Sequence, residues 1–212
     1  MTQTDTTTLR DATIAVIGGS GSLGAALAGR WRAAGLKVII GSRSGTPYAE
    51  AAASADIIVV TVPFAAQAEA MAQIAPHAVG KVVVDTTVPL VPPRVMRVQL
   101  PPEGSAAQRA QGLLGEGVKV ISAFHNVAAD KLAKPGEVDC DCLVFGDARA
   151  DRDVGVALAR AAGLRGLHGG ALANSAAAEA LTSVIIFLNK TYSSDGAGVR
   201  ITALPDAEGA AA

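Results

Sequence analysis

From Ile14 to Gly24 the chain reads Ile-Ala-Val-Ile-Gly-Gly-Ser-Gly-Ser-Leu-Gly, a β-branched stretch that breaks into glycines and then takes on helical spacing. That succession suits a dinucleotide pyrophosphate. Gly19, Gly21 and Gly24 fill a G-x-G-x-x-G pattern. The first glycine permits a tight turn and the second lets backbone N–H groups approach the phosphates. The third lets the helix pack close to the strand, with the phosphates at its positive end. Glycine-rich turns are common, so the context carries the weight. Here Leu23, Leu27 and Trp31 continue at i, i+4 spacing and Gly35 supplies a stop signal.

The next strand speaks to which dinucleotide. Lys37–Gly41 is apolar enough to be central, and it runs into Ser42-Arg43-Ser44. NAD sites usually carry an Asp or Glu about 20 residues after the glycines, to accept hydrogen bonds from the ribose 2′-OH. No acid stands here. A carboxylate would repel a 2′-phosphate, whereas a guanidinium flanked by hydroxyls would bind one. The expected cofactor is therefore NADP(H), against the plainer alternative of Arg43 as a solvated loop residue.

Ligands of open parallel sheets bind beyond the C-terminal ends of the strands. Three such ends are Thr61-Val62-Pro63-Phe64, Asp85-Thr86-Thr87-Val88-Pro89 and Ser122-Ala123-Phe124-His125-Asn126-Val127. Pro63 and Pro89 turn the chain over a cofactor ring or simply begin loops. His125 is the one histidine at a strand end, either a catalytic group or a loop anchor. His77 and His168 read as structural. Tyr48 and Tyr192 have no Lys four residues on, no Ser/His/Asp set is evident, and no carboxylate pair stands out at a strand end. Chemistry that needs positioning more than proton transfer, such as hydride transfer to a second redox ring, fits that set of absences.

The elements that must position these residues alternate as short βα units. Strands are expected at Thr13–Ile17, Lys37–Gly41, Ile57–Val62, Val82–Thr86 and Val118–Ala123. Pro89–Gly104, with five prolines, is expected to be irregular. Ser105 should cap a helix to about Leu114. A strand near Leu143–Phe145, a helix from Arg149 to about Ala162 and a short strand at Leu164–His168 complete the sheet. The fold class is α/β, a Rossmann-type doubly wound, mainly parallel sheet with a small C-terminal helical extension. Residues 12–170 form the dinucleotide-binding domain, between a flexible segment 1–11 and a C-terminal helical part 171–204 that covers a substrate. Residues 205–212 read as a disordered tail. In 174–192, Asn174 or Ser175 is a plausible N-cap. Ala177, Leu181, Val184, Ile185, Leu188 and Tyr192 form an apolar stripe, expected to cover a second ligand's pocket, another subunit or its own sheet.

Composition narrows the partners. The chain has 212 residues, 50% apolar and only 3% aromatic, with net charge −1. That is enough for one domain with a sizeable core, and it suits tightly packed α/β layers better than nucleic-acid stacking platforms. No Lys/Arg cluster invites a polyanion. No apolar run is expected to reach the roughly 18–20 residues of a membrane span, and residues 1–11 do not read as a secretory signal. Cys140 and Cys142, one residue apart, cannot easily close a relaxed disulfide and lack a second ligand pair for zinc. They read as reduced thiols of a cytoplasmic protein without a metal site.

On these motifs the chain resembles the NADPH-dependent 8-hydroxy-5-deazaflavin reductases, the coenzyme F-420:NADP oxidoreductases. Gly18-Gly19-Ser20-Gly21-Ser22-Leu23-Gly24 and Gly41-Ser42-Arg43 look like that family's NADP site, and Thr61-Val62-Pro63-Phe64 is similar to its strand end. Gly104-Ser105-Ala106-Ala107-Gln108, Val120–Val127 and Leu172-Ala173-Asn174-Ser175 with Glu179-Ala180-Leu181-Thr182 resemble its later motifs. The resemblance implies a dimeric enzyme passing a hydride between NADPH and a deazaflavin. It implies that Ser20, Ser42, Arg43, Val62 and Pro63 hold NADP, and that His125, Val127 and Thr182 lie near the deazaflavin. Two other readings stand beside it. One is NADPH-dependent reduction of another acceptor: a flavin, a quinone, or an imine or small carbonyl in the style of pyrroline-carboxylate reductases. The other is a non-catalytic NADPH-sensing module.

Overall fold

The computed structural model describes residues 9–204. The tail expected at 205–212, and the first eight residues of the leading segment, lie outside the described residues. In chain order the elements are β1 Thr13–Ile17, α1 Ser22–Ala33, β2 Lys37–Gly41, α2 Tyr48–Ala53 and β3 Ile57–Val60. A 3₁₀ turn Phe64–Ala66 leads into α3 Gln67–Ala78, β4 Val82–Asp85, α4 Ala106–Leu114 and β5 Lys119–Ser122. Then come α5 Ala129–Leu132, β6 Asp141–Phe145, α6 Arg149–Ala161 and β7 Arg165–Gly170, and a 3₁₀ turn Leu172–Asn174 opens α7 Ser175–Tyr192.

The seven strands form one sheet in the order β2-β1-β3-β4-β5-β6-β7. β1 to β5 are mutually parallel, while β6 meets β5 antiparallel at Ser122↔Phe145 and β7 runs parallel to β6. The Rossmann-type α/β class is as expected. The strands stop a residue or two short of the expected ends: β3 at Val60, before Pro63, and β4 at Asp85, before Pro89. Proline cannot donate to a ladder, so pairing lapses as each is approached. β6 and β7 instead start or end beyond their expected limits, at Asp141 and Gly170.

The sheet is covered on both faces, which is why β3 (Ile-Ile-Val-Val) is buried at every position. One core layer gathers Leu27, Trp31, Phe124 and Leu158 under α1, α5 and α6. The other gathers Ala51, Met71, Ile74, Ala107 and Leu114 under α2, α3 and α4. The predicted α1 spacing works as read: Leu27 and Trp31 are fully buried, and the indole N–H donates to Leu158 O at 2.9 Å. Leu9 is also buried in this layer, so packed structure begins ahead of residue 12, contrary to a wholly flexible 1–11.

α7 answers one open question and overturns two expectations. Most of its apolar stripe faces outward: Val184, Leu188 and Tyr192 are exposed and Leu181 half-buried, while Ile185 alone of the stripe is buried, beside Ser175, Ala178, Glu179 and Ser183. Polar side chains go inward because partners wait there: the N–H donors at the start of α4 for Glu179, the Ser105 hydroxyl for Ser175 and Arg97 O for Ser183. The 21 residues Leu172–Tyr192 are also long and apolar enough to cross a membrane, against the expectation that no run would be. A third of that stretch is buried inside the fold, where Glu179 meets the start of α4. Neither expected N-cap functions as one: Asn174 Nδ2 donates back to Gly169 O at 3.1 Å, and Ser175 is already helical.

Candidate cofactor cleft and strand-end site

The chain crosses from one face of the sheet to the other between β1 and β3, and ligands of open α/β sheets bind at such a switch point. A cleft of about 600 Å³ opens there, lined by Gly18, Ser20, Gly21, Ser42, Arg43, Val62 and Pro63. It brings together seven of the residues assigned to NADP from sequence. Pro47, Tyr48, Thr61, Glu69 and Gln73 also line it. Thr61 stood in the strand end read from the sequence; the other four carried no site signal, since only the packing of α2 and α3 beside the glycine turn puts them there.

The other glycine-motif residues act from behind the cleft. The left-handed residue of the turn is Gly18 (φ +78°), one position before the glycine expected to permit the tight turn. The N–H groups of Gly18 and Gly19 both donate to Gly41 O, at 3.0 and 3.2 Å, tying the turn to the end of β2. Gly24 is where α1 meets the sheet. A Cβ there would lie 2.5 Å from Thr61 Oγ1 and 2.7 Å from Gly19 Cα. α1 begins at Ser22 with Gly21 as N-cap and no side-chain cap. Its first-turn N–H groups, from Ser22, Leu23 and Gly24, therefore have no intrahelical carbonyl and no capping side chain. The Ser22 side chain itself faces a separate groove between α1 and α5. Donors at a helix start, close glycine backbone and an exposed guanidinium at Arg43 together fit a phosphorylated dinucleotide.

Beyond the ends of β4 and β5 lies a buried polar seam. Asp85 ends β4 fully buried; its carboxylate accepts from Thr87 Oγ1 at 2.6 Å and from Gln67 Nε2 at 2.8 Å. Burial pushes its pKa up to about 6. Gln67 Nε2 also donates to Ala106 O at 2.9 Å. Ser105 caps α4 as expected, accepting from Gln108 N at 3.0 Å. Glu179 of α7 accepts from the next two orphan donors, Ala106 N at 2.6 Å and Ala107 N at 3.2 Å. Burial, reinforced by the Asp85 charge, raises Glu179 to about 7. Folding thus brings a glutamate from a distant helix to the same helix start whose Ala106 O is held by Gln67, the partner of Asp85. The Arg109 guanidinium, 4.9 Å over the Phe64 ring, holds α4 against the turn after β3.

His125 is nearly buried, and its Nε2 lies 2.7 Å from Ser122 Oγ. Burial lowers its pKa to about 4, so the ring is neutral at physiological pH. Thr182 Oγ1 donates to His125 O (3.2 Å), and Asn126 Nδ2 donates to Thr182 Oγ1 (3.1 Å) and Ala178 O (2.9 Å). His125 and Thr182 are thereby joined. Val127 is turned away, lining a separate cleft of about 350 Å³ with Lys131 and Cys140. Cys140 and Cys142 are free and buried, and burial pushes Cys142 up to about 12. Among the described residues no cluster of three His, Cys, Asp or Glu could hold a metal ion.

A glycine turn at the sheet's switch point, with an arginine and no acid at the end of β2, defines a dinucleotide-binding protein of the Rossmann class. Comparison with known proteins agrees. A sequence profile for the acetohydroxy acid isomeroreductase NADPH-binding domain matches residues 8–91. The F420-dependent NADP reductase of Methanothermobacter thermautotrophicus is 39% identical over 224 residues, covering 92% of this chain and 97% of that one. The chain belongs to the F420-dependent NADP reductase family. Among solved structures, a candidate F420-dependent NADP reductase from Arthrobacter sp. FB24 shares the fold with TM-score 0.80 at 23% identity. The match covers 91% of this chain and all of that one. NADP-bound pyrroline carboxylate reductase from Plasmodium falciparum aligns with TM-score 0.56 at 15% identity, over 75% of this chain but 58% of its own.

Proposed function

We propose that this chain transfers a hydride between NADPH and a deazaflavin of the coenzyme F-420 type. The observation that carries the reading is full-length kinship with a named F420-dependent NADP reductase, joined to a cleft whose groups suit a 2′-phosphorylated dinucleotide. NADPH supplies the hydride; the chain's own part is to hold, orient and shield. The α1 start and Gly18–Gly24 bind the pyrophosphate, and Ser42 and Arg43 bind the 2′-phosphate. Val62 and Pro63, at the end of β3, wall the nicotinamide half. His125 stands beyond the end of β5 on the side of the second substrate, with Thr182 fixing its backbone. Its neutral ring supplies a hydrogen bond rather than a charge.

The outward face of α7 and the loop after β4 fit a homodimer. Phe187 is 51% exposed and Tyr192 75%, and Val91, Val98 and Leu100 add apolar surface. Leaving such a patch in water is costly, and a second copy would cover it.

The direct test mixes purified protein with NADPH and oxidised coenzyme F-420 and follows loss of the deazaflavin's visible absorption. Bleaching with NADPH and little with NADH is expected. No bleaching with NADPH binding intact would refute the deazaflavin assignment.

A further inference from the structure

Ser122 ends β5 with its side chain fully buried, and its hydroxyl has a proton to place. Among the described residues, the only group in hydrogen-bond contact with Oγ is His125 Nε2, at 2.7 Å. A hydroxyl has one O–H to donate; donating it to Nε2 pairs the fully buried hydroxyl and leaves open only the Nδ1–H, which is not among the buried side-chain atoms without a partner. Nε2 then carries the lone pair, and the proton of the neutral ring sits on Nδ1. Nδ1 has no protein partner among the described residues.

Three features hold the ring in this pose. Phe124, between strand and histidine, adopts φ +66°, a left-handed conformation that a bulky residue keeps only where its surroundings enforce it. Its ring packs edge-on against Trp31, with centroids 5.9 Å apart at 72°. This reversal carries His125 back over Ser122, three positions earlier. The Thr182 bond to His125 O and the Asn126 bonds to α7 stop the segment from rotating away. The Phe145 ring, 6.2 Å from the imidazole, closes another side.

We infer that Ser122 is a positioning residue of the site: it donates to Nε2, fixes the Nδ1–H tautomer of His125, and leaves that N–H as a donor for a carbonyl or ring-nitrogen acceptor of the second substrate. The functional half rests on the proposal that His125 serves that substrate; the tautomer half does not. Hydride arrival at the carbon of a conjugated ring sends an electron pair toward its carbonyl and nitrogen atoms. A fixed N–H donor there stabilises the developing charge without transferring its proton.

The chain has three histidines, so ¹⁵N-labelled protein gives few ring signals to resolve, and a His125→Gln variant identifies those of His125. Long-range ¹H–¹⁵N correlation at pH 7 is expected to show the Nδ1–H pattern in the parent and a shift toward Nε2–H in Ser122→Ala. Loss of one oriented hydrogen bond should lower turnover of Ser122→Ala roughly tenfold, with KM for NADPH unchanged. An Nε2–H tautomer in the parent, or the same tautomer in Ser122→Ala, overturns the role of Ser122. An altered tautomer with unaltered turnover overturns its part in the reaction. Full turnover in His125→Gln overturns instead the reading of His125 beneath it, whatever the tautomer.

Discussion

Replacing Gly24 with alanine tests the placement of the dinucleotide. The new Cβ would meet Thr61 Oγ1 at 2.5 Å, Gly19 Cα at 2.7 Å and Gly18 O at 3.0 Å, and two of these are backbone. Non-bonded carbons sit comfortably at about 3.5–4 Å, so the start of α1 must move by roughly 1 Å. Overpacking of this kind costs about 1–3 kcal/mol, offset by up to about 1 kcal/mol of helix propensity. In a chain of this size each kcal/mol moves Tm by about 2–4 °C, so a fall of up to roughly 12 °C is expected. Binding should suffer more. A 1 Å displacement takes first-turn N–H groups out of range of a phosphate, and a hydrogen bond to a charged group contributes about 1.5–3 kcal/mol. The Kd for NADPH should therefore rise about 10- to 100-fold. Gly29, on the same helix, is the control, because a Cβ there meets nothing within 4 Å. Gly29→Ala should raise stability by about 0.5–1 kcal/mol and leave Kd unchanged. Calorimetric titration with NADPH and a thermal scan of both variants decide the matter. If Gly24→Ala binds within twofold of the parent while Gly29→Ala behaves as stated, the dinucleotide does not lie on this turn.

Three further outcomes follow from the same geometry. Arg43→Glu should repel the 2′-phosphate and offer a partner to the 2′-OH of NADH. The ratio of kcat/KM for NADPH over NADH should fall at least tenfold, less steeply at high salt; an unchanged ratio would make Arg43 a bystander. Glu179→Ala leaves Ala106 N and Ala107 N without acceptors in a buried site, at about 2–4 kcal/mol. Tm should drop by roughly 5–15 °C, and a change under 2 °C would contradict the capping role. The pH dependence has a worked sign. Glu179 has a folded pKa of about 7, above its unfolded value, so its stabilising contribution is complete below about pH 4 and lost as pH rises through 7. Asp85, at about 6, acts in the same direction, whereas His125, lowered to about 4, costs stability as pH falls from 6.5. The stability of the parent relative to Glu179→Gln should therefore shrink between pH 5 and 8, and a flat difference would refute it.

The site divides into what neighbouring residues dictate and what distant ones bring. The β-branched runs, the glycine turn and the Ser105 cap are decided within a few positions, by backbone freedom and local hydrogen bonding. They were legible in the sequence with the strand ends shifted by a residue or two. The Ser42–Arg43 end of β2 was legible for a related reason, since parallel βα order leaves few places for a strand's C-terminus. α7 was not. Its apolar spacing left open whether Leu188 and Tyr192 cover a ligand, another subunit or the sheet; the fold turns both outward and buries Ser175, Glu179 and Ser183. Glu179 bonds an N–H group 73 positions away, so nothing in its own helix announces the partner. The antiparallel turn of β6, the Gln67 bond to Asp85 and the Ser122 contact with His125 depend likewise on which surfaces meet. Periodicity states that a helix has two faces. Which face goes inside is decided by the donors waiting there, because two unpaired N–H groups in a dry interior cost more than exposed leucine and tyrosine do in water.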